Sequence, residues 1–381
     1  MQAKLRTPVT TLAAGALCLV LAACGGGNGG NAEADGGAVA PAAAKAAIAD
    51  AEAAYAKYTK RQPAAPVPAL PSPAPGGKRL AIVTCSIPVC ITLSGGAEAA
   101  ARKLGWTVTT LQSNSTPQGF VSVMDQVAAD PPDALAYIGA VPDSSIRPQL
   151  AKLQAAGTKI TEIAPLTAAL TPNGPVQAVV FGQKDATLTG TLMGQTVVAD
   201  ANGPAKSVFV WDPSFAGSWG PIKDAYRKAL TGAGGSAGVL EVSNANIGKT
   251  VPGQIVSYLQ AHPDTEYVAL AVVDYTAGLD AALRAAGLTG KVKILTRAAD
   301  TASLKAVQAG TQWASIGLEL GAAGYRAVDQ LIRLMTGVPL GDRADAPGWQ
   351  QIYVKGNVTQ TSDMPEPPDY AQTYYAAWRV G

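Results

Sequence analysis

The sequence predicts an α/β fold made of two similar lobes. From residue 78 onward, short apolar runs alternate with amphipathic helical stretches, which is typical of parallel sheets covered by helices. Two successive series of such units have similar lengths, which favours two lobes over one very wide sheet. The chain of 381 residues is long enough for both lobes and an N-terminal extension.

The first series is marked by apolar runs separated by helical periodicity, with Gly105 and Gly157 ending two of the helices. The pattern predicts strands at 79–85, 107–112, 134–139 and 159–163, and helices at 93–104, 118–129 and 146–156.

The second series opens with a strand-like run at 176–181. The same alternation then predicts strands at 207–211, 238–242, 267–273, 291–296 and 313–317. It predicts helices at 185–201, 221–230, 253–261, 277–286 and 301–309, followed by a long helix at 320–335.

The N-terminus has the pattern of a processing signal. Lys4 and Arg6 precede an apolar stretch at 12–23 that is too short to span a bilayer. The sequence Leu21-Ala22-Ala23-Cys24 resembles a bacterial lipobox, so we expect residues 1–23 to be removed and Cys24 to carry a lipid. The alternative is an ordinary signal peptide followed by a chance cysteine. Lipidation predicts an exported protein anchored to the outer face of the cytoplasmic membrane.

Residues 24–77 are predicted to connect this anchor to the folded part. They comprise a glycine-rich tether, an alanine-rich helical stretch at 38–61 and a proline-rich run from Pro63 to Gly77. Proline at this density predicts an extended, semi-rigid spacer, with the domain starting at Lys78. The alanine-rich stretch either lengthens the tether or docks weakly on the domain.

Charge and histidine content exclude several functional classes. The formal net charge is +2, and it falls to zero once Lys4 and Arg6 leave with the signal, which argues against a nucleic-acid partner. The single histidine, His262, lies in a predicted helix-to-strand turn and is expected at the surface. Histidine catalysis and a histidine metal site are therefore disfavoured, and we expect no metal and no cofactor. Gly248-Lys249-Thr250 has Ser243 where a phosphate loop needs glycine.

Two cysteines are left in the mature chain once Cys18 is removed and Cys24 is lipidated. In an oxidising compartment Cys85 and Cys90 first indicate a structural disulfide that closes a small loop after the first strand. A redox-catalytic pair would prefer two intervening residues, whereas four intervene here.

Several short patterns occur in an order typical of one protein family. They are Gly96-Ala97-Glu98, Lys103-Leu104-Gly105-Trp106, Pro131-Pro132-Asp133-Ala134-Leu135, Ala261-His262-Pro263-Asp264, then Asp274, Gly278, Ala282-Leu283, Ala286-Gly287 and Val307-Gln308-Ala309-Gly310. Residues 78–360 thereby resemble the type 1 periplasmic binding proteins, in particular the ribose-like, substrate-binding lipoproteins of ABC transporters. The cysteine pair and the proline-rich leader resemble an actinobacterial branch.

The resemblance implies two Rossmann-like lobes joined by a three-strand hinge, with the ligand cleft between them at the carboxyl ends of both sheets. By analogy lobe 1 comprises 78–179 plus 319–347, lobe 2 comprises 180–318 plus 348–360, and 361–381 is a C-terminal tail. The crossings are expected near 178–181, 317–319 and 348–350. The aromatic tail residues Tyr370, Tyr374, Tyr375 and Trp378 are expected to pack on a lobe.

The family's sugar-binding set is poorly kept in this chain. By this resemblance, the positions where sugar binders place an Asn and aromatic rings hold Ile87, Val89 and Cys90. The position where the family has an arginine, after the first strand of the second lobe, falls around Ser218 and Trp219. Val273 replaces an Asn before Asp274, Thr296-Arg297-Ala298-Ala299 replaces a glycine-rich turn, and Leu318 beside Glu319 replaces a glutamine.

These departures predict a ligand with fewer hydroxyls than a common sugar, because a buried hydroxyl without a partner costs about 1–3 kcal/mol. The expected apolar walls are Phe215, Trp219 and Tyr275, and the expected orienting groups are Asp143, Asp212, Arg297 and Glu319. Asp274 either caps the following helix or contacts the ligand.

The predicted function is that of a monomeric, non-catalytic receptor that binds a small molecule and delivers it to an ABC permease. The alternative is a sensor that signals to a membrane partner. Repressors of this fold need an N-terminal DNA-binding unit, where this chain has a signal and a spacer. An extracellular enzyme would need a nucleophile and a base, and no GxSxG motif is present.

Overall fold

We analysed a computed structural model, which describes residues 39–113, 116–166, 170–171 and 173–381. The predicted signal peptide, the lipidated Cys24 and the glycine-rich tether lie outside these residues. Among the described helices, none combines the length and the apolar character needed to cross a membrane.

The first sheet belongs to lobe 1 and contains five parallel strands in the order β2-β1-β3-β4-β5. They are β1 (Arg79–Thr84), β2 (Thr107–Gln112), β3 (Ala134–Ile138), β4 (Lys159–Ile163) and β5 (Ala178–Val180). Their connecting helices are α2 (Pro88–Lys103), α3 (Pro117–Ala129) and α4 (Arg147–Ala155). Strands β1 and β3 are buried almost throughout, as parallel strands covered on both faces are.

Strand β5 corrects one prediction. The run at 176–181 was expected to open the second series, but Thr161 of β4 pairs with Ala178 of β5, so β5 ends the first sheet. The periodicity of a short apolar run predicts a strand, but it does not predict which sheet the strand joins.

The second sheet belongs to lobe 2 and contains six strands in the order β11-β10-β9-β8-β6-β7. They are β6 (Lys206–Trp211), β7 (Ser236–Glu241), β8 (Tyr267–Leu270), β9 (Lys293–Arg297), β10 (Ala314–Leu318) and β11 (Gln350–Val354), of which β11 is antiparallel to β10. The helices of this lobe are α5 (Gln183–Ala201), α6 (Ala216–Gly232), α7 (Val251–Ala261), α8 (Leu279–Ala285) and α9 (Thr301–Ala309).

Helix α10 (Leu320–Thr336) follows β10 but packs against α2 of lobe 1. Small residues allow this close crossing: a Cβ on Gly96 would overlap the carbonyl of Gly321, and one on Gly324 would overlap the backbone nitrogen of Ala97. The chain passes between the sheets after β5, after β10 and before β11. The predicted α/β class with two lobes is confirmed.

The N-terminal segment docks on the domain, as one of the two alternatives for the alanine-rich stretch has it, and its proline-rich run differs from the predicted spacer. Helix α1 (Pro41–Tyr58) packs on α5 and α6 of lobe 2, and Ala51 on its inner face is buried. The proline-rich run that follows lies against lobe 1, where Leu70 is 1% exposed. We call residues 41–75 the strap. Composition predicts an extended conformation for such a run, but it does not report whether neighbouring donors bind its free carbonyl groups.

The C-terminal helix α11 (Tyr370–Trp378) packs on lobe 1, as predicted for the aromatic tail. The ring of Trp378 stacks on Tyr325 at 6.0 Å and 8°. Its Nε1 donates to Oδ1 of the fully buried Asp329 at 2.9 Å. Oδ2 of Asp329 accepts from Nε of Arg333 at 2.9 Å and from Nη2 of Arg343 at 3.0 Å. One buried carboxylate therefore joins three segments of lobe 1.

Candidate ligand-binding cleft

The structure places every residue of the predicted site at the carboxyl end of a strand. Ile87, Val89 and Cys90 follow β1, Asp143 follows β3, Asp212, Phe215 and Trp219 follow β6, Asp274 and Tyr275 follow β8, Arg297 ends β9 and Glu319 follows β10. Open α/β sheets bind ligands at this edge. The side chains do not all contact one another, however. They lie in the two walls of the cleft, in a lobe 1 cavity, in the hinge, and in a cavity between α8 and α9.

An aromatic group forms the lobe 2 wall. The rings of Phe215 and Trp219 stack at 4.8 Å and 23°, one helical turn apart at the start of α6. Tyr275 meets Trp219 edge-on at 6.4 Å and 89°, and its hydroxyl donates to Asn244 at 2.5 Å. Burial raises the pKa of Tyr275, so this hydroxyl keeps its proton. The three predicted apolar walls are thus brought together.

Asp212 fixes the loops beneath these rings. Its Oδ1 accepts from the backbone nitrogen and hydroxyl of Ser214, at 2.9 and 2.5 Å, and its Oδ2 accepts from the backbone nitrogen of Asn244 at 2.7 Å. The carboxylate is 6% exposed. Its main role in the structure is to cap the loops after β6 and β7.

Arg297 carries a buried donor at the same edge of the lobe 2 sheet. Its Nε has no hydrogen-bond partner among the described residues. Burial lowers the pKa of Arg297 to about 10, although the charge of Asp185 opposes this shift. A buried N–H without an acceptor is costly, so this group is suited to an oxygen atom of a ligand.

The lobe 1 wall is a short turn closed by sulfur atoms. Cys85 and Cys90 are joined by a disulfide, with an S–S distance of 2.12 Å. The turn carries Ile87, which is 44% exposed, and the half-buried Val89. This wall therefore offers aliphatic side chains and no aromatic ring.

The two lobes approach each other beside the aromatic group. A Cβ on Gly217, between Phe215 and Trp219, would overlap the carbonyl oxygen of Leu166 from the loop after β4. Buried apolar residues also form one cluster that runs from lobe 1 through the hinge into lobe 2. Among its members are Leu93, Ile163, Phe181, Leu318, Trp211 and Tyr275.

Asp143 lies in different surroundings, in a cavity of 540 Å³ lined by lobe 1 residues together with Gln183 and Asp345. Its Oδ1 accepts from the hydroxyl of Tyr137 at 2.8 Å. Burial raises the pKa of Asp143 and also that of Glu162, a carboxyl that shares the cavity. Oε1 of Glu162 has no hydrogen-bond partner among the described residues. This acidic cavity is lined by three carboxyl groups (Asp143, Glu162 and Asp345) and one basic residue, Arg147, and also by Leu166, which lies against Gly217 of the aromatic wall.

Glu319 belongs to a buried ion network in the hinge. Its Oε1 lies 3.0 Å from Nε of Arg326, whose Nη2 lies 3.1 Å from Asp185. Asp185 also accepts from the backbone nitrogen of Gly348 at 2.9 Å and from Gln350 at 2.8 Å. Burial raises the pKa of Glu319, and Arg326 opposes this shift. The network joins residues from all three crossings.

Asp274 turns away from the aromatic group. It lines a cavity of 420 Å³ between α8 and α9 with Asp300, and burial raises the pKa of its carboxyl. Helix α8 begins after Gly278, with no side-chain cap, so the capping role expected of Asp274 is wrong. The helix starts later than predicted because a short 3-10 helix (Val273–Thr276) takes up the preceding residues.

Several residues of the cleft and hinge were not singled out from the sequence. Asn244 follows a predicted strand, so its position alone indicated a cleft residue. Asp185 and Arg326 are far apart in the chain, and no local pattern indicates that they pair. Among the described residues, no group of three or more His, Cys, Asp or Glu side chains is arranged to hold a metal ion.

Comparisons with known proteins agree with this architecture. Residues 80–339 match the family model described as periplasmic binding protein domain. No match was found among curated proteins.

Solved structures of similar fold come from several bacteria. A 5-methylthioribose transporter solute binding protein from Thermotoga lettingae, in complex with 5-methylthioribose, has a TM-score of 0.64 and 16% identity over 79% of this chain and 97% of that chain. An ABC transporter solute binding protein from Mycobacterium smegmatis with bound glycerol has a TM-score of 0.63 and 19% identity over 76% and 100%. A glucose-galactose binding protein from Geobacillus stearothermophilus has a TM-score of 0.62 and 17% identity over 74% and 99%.

Proposed function

Since this chain belongs to the family of periplasmic binding protein domains, we propose that it captures one small molecule between its lobes and delivers it to an ABC permease. The predicted resemblance to type 1 periplasmic binding proteins is thereby confirmed, and the family is one of binding proteins rather than enzymes. Closure of two lobes around a solute presents a permease with a surface that differs from that of the open form.

The ligand class follows from the lobe 2 wall, which is the observation that carries the proposal. The stacked Phe215 and Trp219 present ring surface, and Arg297 supplies an N–H that has no hydrogen-bond partner within the described part of the chain. A ligand that satisfies both has an apolar face and an oxygen acceptor. We therefore propose a sugar-derived or alicyclic solute with fewer free hydroxyls than a common hexose. The relative from Thermotoga lettingae, whose ligand is a methylthio-substituted pentose, gives a first compound to test.

A screen of melting temperature tests this proposal. The mature chain carrying Cys24→Ser is heated with D-glucose, D-arabinose, glycerol, 5-methylthioribose and a set of alicyclic acids. A ligand at one hundred times its Kd adds about 2.7 kcal/mol of stability, which corresponds to a rise of about 4 °C for a chain of this length. We expect such a rise with a less hydroxylated compound. A comparable rise with D-glucose at micromolar concentration would contradict the proposed ligand class.

We further propose that Cys24 anchors the protein to the outer face of the cytoplasmic membrane. The support is its lipobox-like context and the extracytoplasmic location that the family implies. In cells, the wild-type chain is expected in the membrane fraction, and the Cys24→Ser chain in the soluble extracytoplasmic fraction. Recovery of both chains in the same fraction would contradict the proposed lipid anchor at Cys24.

A further inference from the structure

The strap makes contacts along both lobes, and its first half is held by lobe 2. Helix α1 places Ala47, Ile48 and Tyr55 against the core of that lobe. The chain then reaches the hinge, where Nδ2 of Asn357 donates to the carbonyl oxygen of Thr59 at 2.7 Å.

The last bonds on this side are made by Gln62. Its backbone nitrogen donates to Oε1 of Gln351 at 3.1 Å, and its carbonyl oxygen accepts from Nε1 of Trp349 at 3.0 Å. Gln351 belongs to β11 of the lobe 2 sheet, so lobe 2 holds the strap up to residue 62.

The second half of the strap is held by lobe 1. The carbonyl oxygens of Pro66 and Pro68 accept from Arg343 at 3.3 Å and from Arg333 at 2.5 Å. These two arginines are the ones bound to the buried Asp329.

Backbone pairing with the C-terminal helix continues these contacts. The backbone nitrogen of Leu70 donates to the carbonyl oxygen of Ala377 at 2.8 Å, and that of Ala74 donates to Trp378 at 2.9 Å. Nε1 of Trp106 donates to the carbonyl oxygen of Pro75 at 2.6 Å. The strap therefore forms a continuous layer on lobe 1 rather than a loose spacer.

Residues 63–65 lie between the hydrogen bonds of Gln62 to lobe 2 and that of Pro66 to lobe 1. From Gln62 to Pro66 a chain extended at about 3.6 Å per residue spans at most about 14 Å. Pro63 further restricts this bridge, because its ring fixes one backbone torsion. A short bridge between two docked halves limits how far the lobes move apart while both halves stay bound.

We propose that the strap is a fourth connection between the lobes and that it shifts their equilibrium toward the closed form. Its contacts are made in the arrangement in which Leu166 lies against Gly217, so opening must lengthen the bridge or release one docked half. A protein whose closed form is more populated before binding has a higher apparent affinity for its ligand. The inference rests on the proposed lobe closure, but it concerns the protein without ligand.

The test measures the distance between the lobes by fluorescence energy transfer without any ligand. The mature chain carries Cys24→Ser, with dyes attached at Gln126→Cys in α3 and Lys228→Cys in α6, two exposed positions on different lobes. The Cys85–Cys90 disulfide is kept oxidised during labelling. One variant receives a flexible twelve-residue insertion between Ala64 and Ala65. The matched control receives the same insertion between Gly76 and Gly77, after the strap and before β1.

We expect the insertion at 64/65 to move the population toward longer distances, and the control to keep the wild-type distribution. A protease site placed in each insertion allows the bridge to be cut in the folded protein, and cutting at 64/65 is expected to give the same shift. Unchanged distances for the inserted and cut 64/65 chains would overturn the proposal, as would an equal shift in the control. The melting-temperature screen is independent of this measurement, so a failure of the ligand proposal and a failure of the strap proposal are distinguishable.

Discussion

The two walls of the cleft differ in what they offer a ligand. Lobe 2 presents the stacked Phe215 and Trp219 together with the N–H of Arg297, whereas lobe 1 presents a disulfide-closed turn with Ile87 and Val89. Aromatic faces and a charged donor give orientation as well as contact area, and aliphatic groups give contact area alone. For the proposed ligand capture, this difference predicts that lobe 2 selects the ligand and that lobe 1 covers it.

The lobes also differ in where their buried charged groups lie. Arg297 of lobe 2 ends β9, and its buried Nε has no hydrogen-bond partner among the described residues, while Asp143 and Glu162 of lobe 1 lie in a cavity beside Gln183. A ligand bound in the acidic cavity would meet these carboxyl groups and Arg147, whereas a ligand at the lobe 2 wall would meet aromatic rings. The two sites therefore predict different ligand contacts, and mutations separate them.

The largest effect is expected for Arg297→Met, which keeps the length of the side chain and removes its donors. A hydrogen bond to a charged group contributes about 1.5–3 kcal/mol, so the Kd of the tightest compound in the screen should rise about tenfold to a hundredfold. The unliganded protein should lose little stability, because Nε has no hydrogen-bond partner among the described residues and only the charge interaction with Asp185 is removed. Isothermal titration calorimetry and urea unfolding measure both quantities.

The control for this variant is Arg284→Met, which removes an exposed arginine of the same lobe that pairs with Asp280. Its Kd should equal that of the wild type. If Arg297→Met and Arg284→Met bind alike, Arg297 does not contact the ligand and the recognition role of lobe 2 is weakened.

A smaller effect on binding is expected when the lobe 1 turn is opened. The double variant Cys85→Ser and Cys90→Ser should lose about 2 kcal/mol of unfolding free energy, because a short closed loop constrains the unfolded chain only modestly. Its Kd should change by a factor of about 3 or less, since the turn contributes aliphatic contact alone. A loss of affinity as large as that of Arg297→Met would show that lobe 1 selects the ligand as strongly as lobe 2.

The smallest effect on binding is expected for Glu162→Gln, although its stability should change in a pH-dependent way. Burial raises the pKa of Glu162 above the ordinary value of 4.5, so the folded protein binds this proton more tightly than the unfolded chain. Stability from this group is then fully present below pH 4.5 and is lost as the pH rises toward the folded-state pKa.

The Glu162→Gln variant should lack this loss and should be more stable than the wild type at pH 7 by about 1 kcal/mol. Urea unfolding at pH 4 and pH 7 measures the difference. Affinity for the ligand should stay unchanged, and a clear loss of affinity would place the ligand in the acidic cavity of lobe 1.

The sequence predicted the alternation of strands and helices from β1 to α10 because parallel strands are short apolar runs and their helices repeat every three to four residues. It also placed the site residues at strand ends, since this follows from element boundaries. The sheet to which β5 belongs was missed, because a buried three-residue strand looks the same at either edge.

Long-range pairing explains the other misses. The proline-rich half of the strap is predicted to be a spacer because its prolines exclude regular hydrogen bonding, yet its carbonyl groups bind arginines more than 260 positions further along the chain. Glu319 was read as a cleft residue, but its charge is paired with Arg326 in the hinge. Such hydrogen-bond and ion-pair partners cannot be predicted from a local sequence pattern, because the packing of distant segments brings them together.

The most direct test of the account compares two tryptophans of lobe 2 that lie at opposite ends of its sheet. Trp219 belongs to the aromatic wall, whereas Trp313 precedes β10 and meets Tyr267 at the amino end of β8. Both are half-buried, so Trp219→Ala and Trp313→Ala remove similar side chains. Calorimetric titration with the tightest compound of the screen should give a Kd about tenfold higher for Trp219→Ala and an unchanged Kd for Trp313→Ala. Equal affinities in the two variants would contradict capture of the ligand at the aromatic wall between the lobes.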